Sequence, residues 1–351
     1  MSAKSAASPA IPASLLQALR QAQRLVLITH ARPDGDALGS ILALHRCARA
    51  TGKQCRMAVP DMLPRRYAFL FQQAGLDAAL DTPLFMTSPE QAAPQLAELV
   101  TWADLVVVLD ASALQQLEPA AEAVRNIPHK LAIIDHHLGR EELSPCTWRD
   151  VSAAATGVMV LELAEALGWA MDPPAVQAAL TAIAADTGWF RHSNTDARAL
   201  AAAARLCAAG GSPEQLYARL YQCDRPERIR LLAVALGSLE LHAAGRLAVM
   251  TLTRADFERV GAGRDEAEEF VNEALRIGSV EVAILLNEQL DGVIRASLRS
   301  RQAVDVAAIA QGFGGGGHLR AAGCRLTMDI PTARRNLIEA ATAALRVQGG
   351  S

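Results

Sequence analysis

Three side chains that commonly bind metals, His30, Asp34 and Asp36, are grouped near the beginning of the chain. They follow an apolar run, residues 25–28, that predicts a buried strand, and they precede a helical pattern over residues 37–50. In open α/β sheets, ligands bind at the turns that leave the strands. Imidazole and carboxylates together favour a site for a hard or borderline metal ion. We therefore predict a metal site on this turn.

Further acids and histidines follow other apolar segments. Asp110 and the triplet Asp135-His136-His137 each end an apolar run, and Asp186 ends a predicted helix. Any one of them alone is more typical of a turn, a helix cap or a hydrogen-bonded core residue. Together they predict a centre with several ligands at one edge of a sheet.

The pattern of elements predicts an α/β protein. Unbroken apolar strands alternate with helices in the first part, which indicates a parallel sheet with helices on both faces. The last part indicates a smaller mixed sheet that contains a hairpin. We predict a metal-binding domain over 13–195, a helical connector over 196–240 and a substrate-binding domain over 241–351.

Two local predictions concern the connections. Residues 111–126 have the composition of a helix, and Ser152 is a candidate N-cap for a helix that ends near Leu167. Gly39 and Ser40 fit either helix packing or contact with an anion at the helix start.

Composition limits the function classes. The net charge is −3, which argues against an extended nucleic-acid groove but allows short nucleotides bound by a few arginines. The six cysteines include no CxxC pair and indicate reduced thiols. The chain has neither a signal-peptide pattern nor an apolar run long enough to span a membrane, so we expect no membrane partner and a cytoplasmic location.

These motifs resemble the DHH phosphoesterase family. The segment His30-Ala-Arg-Pro-Asp34-Gly-Asp36-Ala-Leu-Gly39-Ser40 matches its first motif, and Asp135-His136-His137 is the motif that names it. The run Gly314 to Gly317 with His318, followed by Ala321-Ala-Gly323, resembles the phosphate-binding motif of the family's C-terminal DHHA1 domain. The helix after the DHH motif begins Ala153-Ala-Ala-Thr-Gly-Val158, where relatives often carry serine and glutamate.

The resemblance implies two divalent cations, most often Mn²⁺, with Mg²⁺ or Co²⁺ as alternatives. One ion would take His30, Asp34 and Asp110. The other would take Asp36, Asp110, His136 and Asp186, so that Asp110 is shared. Asp135 would orient a ligating histidine, His137 would face the substrate, and a water between the ions would attack phosphorus.

The resemblance also implies an anion-binding surface in the last domain. Its predicted substrate contacts are Arg295, Ser297, Arg299, Ser300, Gly314, Gly315, Gly316, Gly317 and His318. Strand alternation alone places Arg295, Ser297 and Arg299 on one face, and a solvated charged face would show the same pattern. Asn272 and Arg276 on the preceding helix are further candidates, and solvent exposure explains them equally well.

Within the family, the two-domain arrangement is similar to the nano-RNase and 3′-phosphoadenosine-5′-phosphate (pAp) phosphatase group. The implied substrates are short RNA, linear dinucleotides such as pGpG and pApA, and nucleotide phosphates such as pAp, with release of mononucleotides. The alternatives are a single-strand exonuclease of the RecJ type, a pyrophosphatase, a cyclic-dinucleotide phosphodiesterase and a non-catalytic nucleotide sensor. The sequence leaves the oligomeric state open, and a homodimer is one option.

Overall fold

The computed structural model describes residues 9–86, 89–139, 141–302 and 304–348. The chain divides into two compact units, Met1–Cys223 and Asp224–Ser351. Each unit is built around its own six-stranded sheet. Within the described ranges, no helix is both long enough and apolar enough to cross a bilayer.

The first unit contains a wholly parallel sheet with strand order β3-β2-β1-β4-β5-β6. Its strands are β1 (Arg24–Ile28), β2 (Gln54–Val59), β3 (Leu84–Phe85), β4 (Leu105–Leu109), β5 (Leu131–Asp135) and β6 (Cys146–Arg149). Its helices are α1 (Ala13–Gln21), α2 (Gly35–Ala50), α3 (Pro89–Trp102), α4 (Ala121–Arg125), α5 (Thr156–Leu167), α6 (Pro173–Asp186), α7 (Ala197–Ala208) and α8 (Pro213–Tyr221).

Both faces of this sheet are buried, which explains why its strands read as continuous apolar runs. In β1, Leu25 and Leu27 join the core beneath α1, α2, α5 and α6, whereas Val26 and Ile28 join the core beneath α3 and α4. The predicted parallel sheet with helices on both faces is confirmed.

The second unit contains a mixed sheet with strand order β11-β12-β10-β9-β8-β7. Its strands are β7 (Glu240–His242), β8 (Leu247–Leu252), β9 (Val282–Glu288), β10 (Ile294–Ser300), β11 (Gly316–His318) and β12 (Ala321–Leu326). Its helices are α9 (Pro226–Gly237), α10 (Arg254–Val260), α11 (Val271–Ala274), α12 (Val306–Gln311) and α13 (Ile330–Gln348). The pair β8–β9 is parallel and β9–β10 is the predicted antiparallel hairpin.

Two local predictions were wrong. Residues 111–126 form a short 3₁₀ turn, Leu114–Leu117, and then the short α4 rather than one helix. Pro119 lies between them, where it lacks an N–H and disfavours helical backbone at the preceding residue. Ser152 does not cap α5, because its hydroxyl donates to Asp150 Oδ1 at 2.6 Å and the helix begins at Thr156.

Strand order brings the candidate ligands to one edge. β1 lies between β2 and β4 in the sheet, so the strand order runs outward from β1 in both directions. In open α/β sheets a crevice forms at the carboxyl ends of the strands where the order reverses in this way. α2 begins at this edge, and α6 ends with Asp186. A Cβ at Gly39 would lie 2.3 Å from the carbonyl oxygen of Ala178 in α6. Gly39 therefore serves close packing of the two helices.

Substitution Gly39→Ala should lower the free energy of unfolding by about 1–3 kcal/mol, because the added methyl group forces α2 away from α6. The matched control is Gly237→Ala in α9, where none of the described atoms lies within 4 Å of the added Cβ. Urea denaturation measures both variants. Equal stability of Gly39→Ala and the wild type would show that the helices are not in close contact at this point.

Candidate metal centre

Three overlapping groups of acids and histidines assemble at this edge of the first sheet. They are His30 with Asp34 and Asp110, Asp36 with His136 and Asp186, and Asp110 with His136 and His137. Within each group the potential ligand atoms lie within 4.8 Å of one another. The structure thus brings together all of the residues that the sequence analysis assigned as metal ligands.

Asp110 stands at the centre of the groups. Its Oδ2 lies 3.4 Å from His30 Nε2, and its Oδ1 lies 3.4 Å from His136 Nε2. It is the first residue after β4 and has a left-handed backbone (φ 62°), which aspartate tolerates better than most residues. Its N–H donates to the Ile134 carbonyl at 2.9 Å, which ties this turn to β5.

Backbone carbonyls fix the orientation of two histidines. His30 Nδ1 lies 2.8 Å from the Ala31 oxygen, and His136 Nδ1 lies 3.1 Å from the Ala153 oxygen. Because a carbonyl only accepts, each Nδ1 carries the proton in these bonds. Each Nε2 therefore faces the carboxylates and is the nitrogen that would bind a metal ion, as in many metal-ligating histidines.

Asp36 is held by the beginning of α5. The backbone N–H groups of Thr156 and Gly157 donate to its two oxygens at 2.6 and 2.9 Å, and Ser40 Oγ donates at 3.0 Å. The positive end of a helix dipole stabilises a carboxylate in this position. The Thr156 hydroxyl also donates to Asp110 Oδ1 at 2.9 Å. The helix start thus contacts the site despite its departure from the residues common in relatives.

The sequence analysis missed Thr156 as a positioning residue, and it also missed Asn194. Asn194 Nδ2 donates to Asp186 Oδ2 at 3.2 Å and to the Ala154 carbonyl at 3.0 Å, which links the end of α6 to the loop before α5. The only sequence signals were a Thr-Gly pair at a helix start and a polar residue a few positions after Asp186.

The electrostatics show an excess of buried negative charge. Burial and the charge of Asp110 raise the pKa of Asp36 well above its usual value. Burial opposes ionisation of Asp110, but His136 and His30 hold its pKa far below its usual value. Burial likewise opposes protonation of His30 and His136, yet the carboxylates raise their pKa values to about 9 and about 10. Bound protons compensate the acids in the absence of a cation, and a bound cation would take their place.

His136 Nε2 provides a test of whether a cation fits. This atom is buried, and it has no hydrogen-bond partner within the described part of the chain. Oxygens of Asp110, Asp36 and Asp186 surround it at 3.4, 3.6 and 3.9 Å. These distances are long for hydrogen bonds, whereas atoms that share one cation at about 2.0–2.2 Å lie roughly 3–4 Å apart. The residues therefore fit a metal ion.

Asp135 orients His137, which belongs to one of the three groups of potential metal ligands. Asp135 Oδ1 lies 2.8 Å from His137 Nδ1 and accepts from the His137 backbone N–H at 3.2 Å. This hydrogen bond raises the pKa of His137. Asp135 is fully buried, while the His137 side chain is 46% exposed, so a buried carboxylate holds an accessible imidazole.

The predicted substrate contacts lie in the second unit. On β10, Arg295, Ser297 and Arg299 share the more exposed face, as alternation predicted. Ser300 lies on the opposite, buried face, where its hydroxyl donates to the Val304 carbonyl at 2.7 Å. Arg276 is exposed and pairs with Glu273 at 2.8 Å. Asn272 is exposed as well.

The glycine run is a folded segment rather than a linker. Gly316–His318 forms strand β11, which pairs with β12. A Cβ at Gly315 would lie 2.2 Å from the Gly323 oxygen, and one at Gly317 would lie 2.4 Å from the Ala321 oxygen. Gly314 has a left-handed backbone (φ 71°). Close approach to β12 and backbone conformation therefore require glycine here, whatever ligand the run binds.

Comparison with known proteins agrees with this geometry. Residues 24–185 match the family model described as "DHH family, N-terminal domain", and residues 245–346 match the DHHA1 domain. A Thermus thermophilus protein named bifunctional oligoribonuclease and PAP phosphatase NrnA is 31% identical to this chain. The aligned region spans 90% of this chain and 88% of the relative. The chain belongs to the DHH family. It is therefore a hydrolase that acts on phosphoesters.

Two further proteins are similar to this chain in sequence or in fold. A Mycoplasma genitalium protein of the same name is 24% identical, over 89% of this chain and 91% of the relative. The crystal structure of an exopolyphosphatase-related protein from Bacteroides fragilis aligns with a TM-score of 0.85 at 23% identity, over 96% of this chain and 98% of that one. That structure is similar to this chain in fold.

Substitution Thr156→Val should weaken Mn²⁺ binding by about 10-fold or more, because it removes the hydroxyl that orients Asp110 but keeps the N–H that binds Asp36. Thr156→Ser retains a hydroxyl and is the matched control. Titration calorimetry of the metal-free proteins measures both affinities. If the valine variant binds Mn²⁺ as tightly as the serine variant, the Thr156 hydroxyl does not position the metal ligands.

Proposed function

We propose that this chain hydrolyses short oligoribonucleotides, linear dinucleotides such as pGpG and pApA, and pAp, with release of mononucleotides. The observation that carries the proposal is the set of three overlapping ligand groups, joined through Asp110 and His136, in a chain whose relatives of similar length are named oligoribonuclease and PAP phosphatase. Pairs of divalent ions with a common ligand are typical of enzymes that cleave phosphate esters by in-line displacement.

Mn²⁺ is the ion we propose, since carboxylates and imidazoles without thiolate suit it, and Mg²⁺ shares most of these preferences. His30, Asp34 and Asp110 would hold one ion, and Asp36, Asp110, His136 and Asp186 the other. When bound, the ions would supply the positive charge that stabilises the transition state of phosphoryl transfer. They would also neutralise the buried carboxylates that raise the pKa values of the two ligating histidines.

His137 is the residue of this chain that acts on the substrate. Asp135 fixes its ring and raises its pKa, which favours the protonated form. A protonated imidazole donates a hydrogen bond to a phosphoryl oxygen and stabilises the charge that develops there. Because the buried Asp135 already holds the His137 ring in place, the ring needs little rearrangement to stabilise this charge during the reaction.

The second unit would bind a second anion of the substrate. Arg295, Ser297 and Arg299 lie on one face of β10, and Gly314–Gly317 with His318 supply a backbone that anions can approach. Ser300 supports this surface from the buried side through Val304. The anion that this surface would bind is a terminal phosphate of the substrate.

The purified protein with Mn²⁺ should turn over pAp, pGpG, pApA and RNA 5-mers faster than pyrophosphate or cyclic di-AMP. Initial rates at matched concentrations measure this preference. Asp110→Ala should show no turnover above background, since it removes the carboxylate that two of the three ligand groups share. Rapid cleavage of pyrophosphate with no turnover of nucleotides would contradict the proposal.

A double-mutant cycle tests the Asp135–His137 pair. His137→Ala should lower kcat by about 100-fold. Asp135→Ala should lower it by about 10-fold or more, since it acts through His137. The double variant should be no slower than His137→Ala, because Asp135 contributes only through His137. Additive losses would show that Asp135 acts independently of His137.

A further inference from the structure

Aromatic residues are scarce in this chain, yet several gather beside the metal centre. Phe, Trp and Tyr together make up 4% of the sequence. Trp189 lies with its ring centroid 5.2 Å from that of Tyr217 and 5.8 Å from that of Tyr221, and the two tyrosines are 5.0 Å apart. We call Tyr67, Trp189, Tyr217 and Tyr221, together with Arg66, the aromatic rim.

The aromatic rim borders two loops that carry metal ligands. Trp189 follows Asp186 by three residues. Tyr67 lies beside the first ligand loop, because a Cβ on Gly35 would lie only 2.9 Å from its ring, and Gly35 stands between Asp34 and Asp36. The Arg66 guanidinium lies between Tyr67 and the other aromatic residues of the rim, 5.4 Å from the Tyr67 ring centroid and 5.7 Å from that of Tyr221.

The backbone at Trp189 is strained. Gly188, Trp189 and Phe190 have φ values of 54°, 61° and 61°, a left-handed conformation that is unfavourable for the two aromatic residues. Hydrogen bonds hold it: Trp189 N–H donates to the Ala184 carbonyl at 2.7 Å, and Phe190 N–H donates to Thr187 Oγ1 at 3.1 Å. Such strain concentrates at functional sites.

The rim reaches the surface as well as the core. Trp189 and Tyr221 are partly buried and pack on the core of the first unit, while Tyr217 is 40% exposed. Pure core packing needs neither the left-handed turn nor an exposed ring at its edge. Aromatic faces next to a site for phosphate hydrolysis match the chemistry of nucleobases, which stack on such rings irrespective of sequence.

We propose that the aromatic rim is a stacking site for the nucleobase adjacent to the phosphate under attack, an inference that rests on the proposed function. A base stacks on the Trp189–Tyr217 edge, and the flat Arg66 guanidinium extends the surface. The ligand class is a nucleoside phosphate of any base, and the rim discriminates nucleotides from sugar phosphates.

Equilibrium binding to the full-length, Mn²⁺-loaded protein tests this without hydrolysis. Titration calorimetry compares AMP with ribose 5-phosphate, which keeps the sugar and phosphate but lacks the base. The wild type should bind AMP at least about 10-fold more tightly, as expected for one stacked base. Trp189→Ala and Tyr217→Ala should reduce this ratio several-fold, while Trp189→Phe and Tyr217→Phe should largely preserve it.

The outcomes separate the two claims. A ratio near one in the wild type, or a ratio that the alanine variants leave unchanged, would overturn the stacking site. An equal loss of affinity for AMP and for ribose 5-phosphate would assign the rim a purely structural role, and this result would also overturn the stacking site. If the base preference holds but pGpG, pAp and short RNA are not hydrolysed, the proposed function fails and the stacking site stands. Tyr217, being exposed, keeps the test valid if Trp189→Ala misfolds.

Discussion

The buried carboxylate of Asp110 is the group on which the rest of the first unit depends. Its side chain is only 2% exposed, and its two oxygens lie at equal distances from His30 and His136. Burial of a charge is costly unless other groups compensate it. Two histidines and the Thr156 hydroxyl compensate Asp110, but Asp36 and Asp186 add further acid beside it. A bound cation would balance these acids together.

The fold meets this requirement with its strand ends and helix ends. β1, β4 and β5 deliver His30, Asp110 and the DHH triplet to one edge of the sheet. The N-terminus of α5 offers its backbone N–H groups to Asp36, and α6 ends at Asp186. Gly39 allows α2 and α6 to pack closely enough for these ends to meet. Close packing one turn beyond Asp36 thus accompanies the meeting of these helix ends.

The residues that gather at the candidate metal centre could be selected from the sequence because most of them follow apolar runs, whose periodicity is visible without a structure. It did not reveal partners that approach from distant positions. Thr156 is 46 residues from Asp110, and a threonine at a helix start carries no mark of that contact. Ser300 was assigned by resemblance, although alternation along β10 places it on the buried face. The aromatic rim was missed because its members are far apart in sequence and join only through the fold.

Electron paramagnetic resonance of the Mn²⁺-loaded protein tests the central claim that Asp110 is shared by two ions. Ions about 3.5–4 Å apart through one carboxylate are magnetically coupled. The wild type should bind two Mn²⁺ per chain and give the spectrum of a coupled pair, and Asp110→Asn should lose the coupling. Binding of a single ion, or of two ions with independent spectra, would contradict the account.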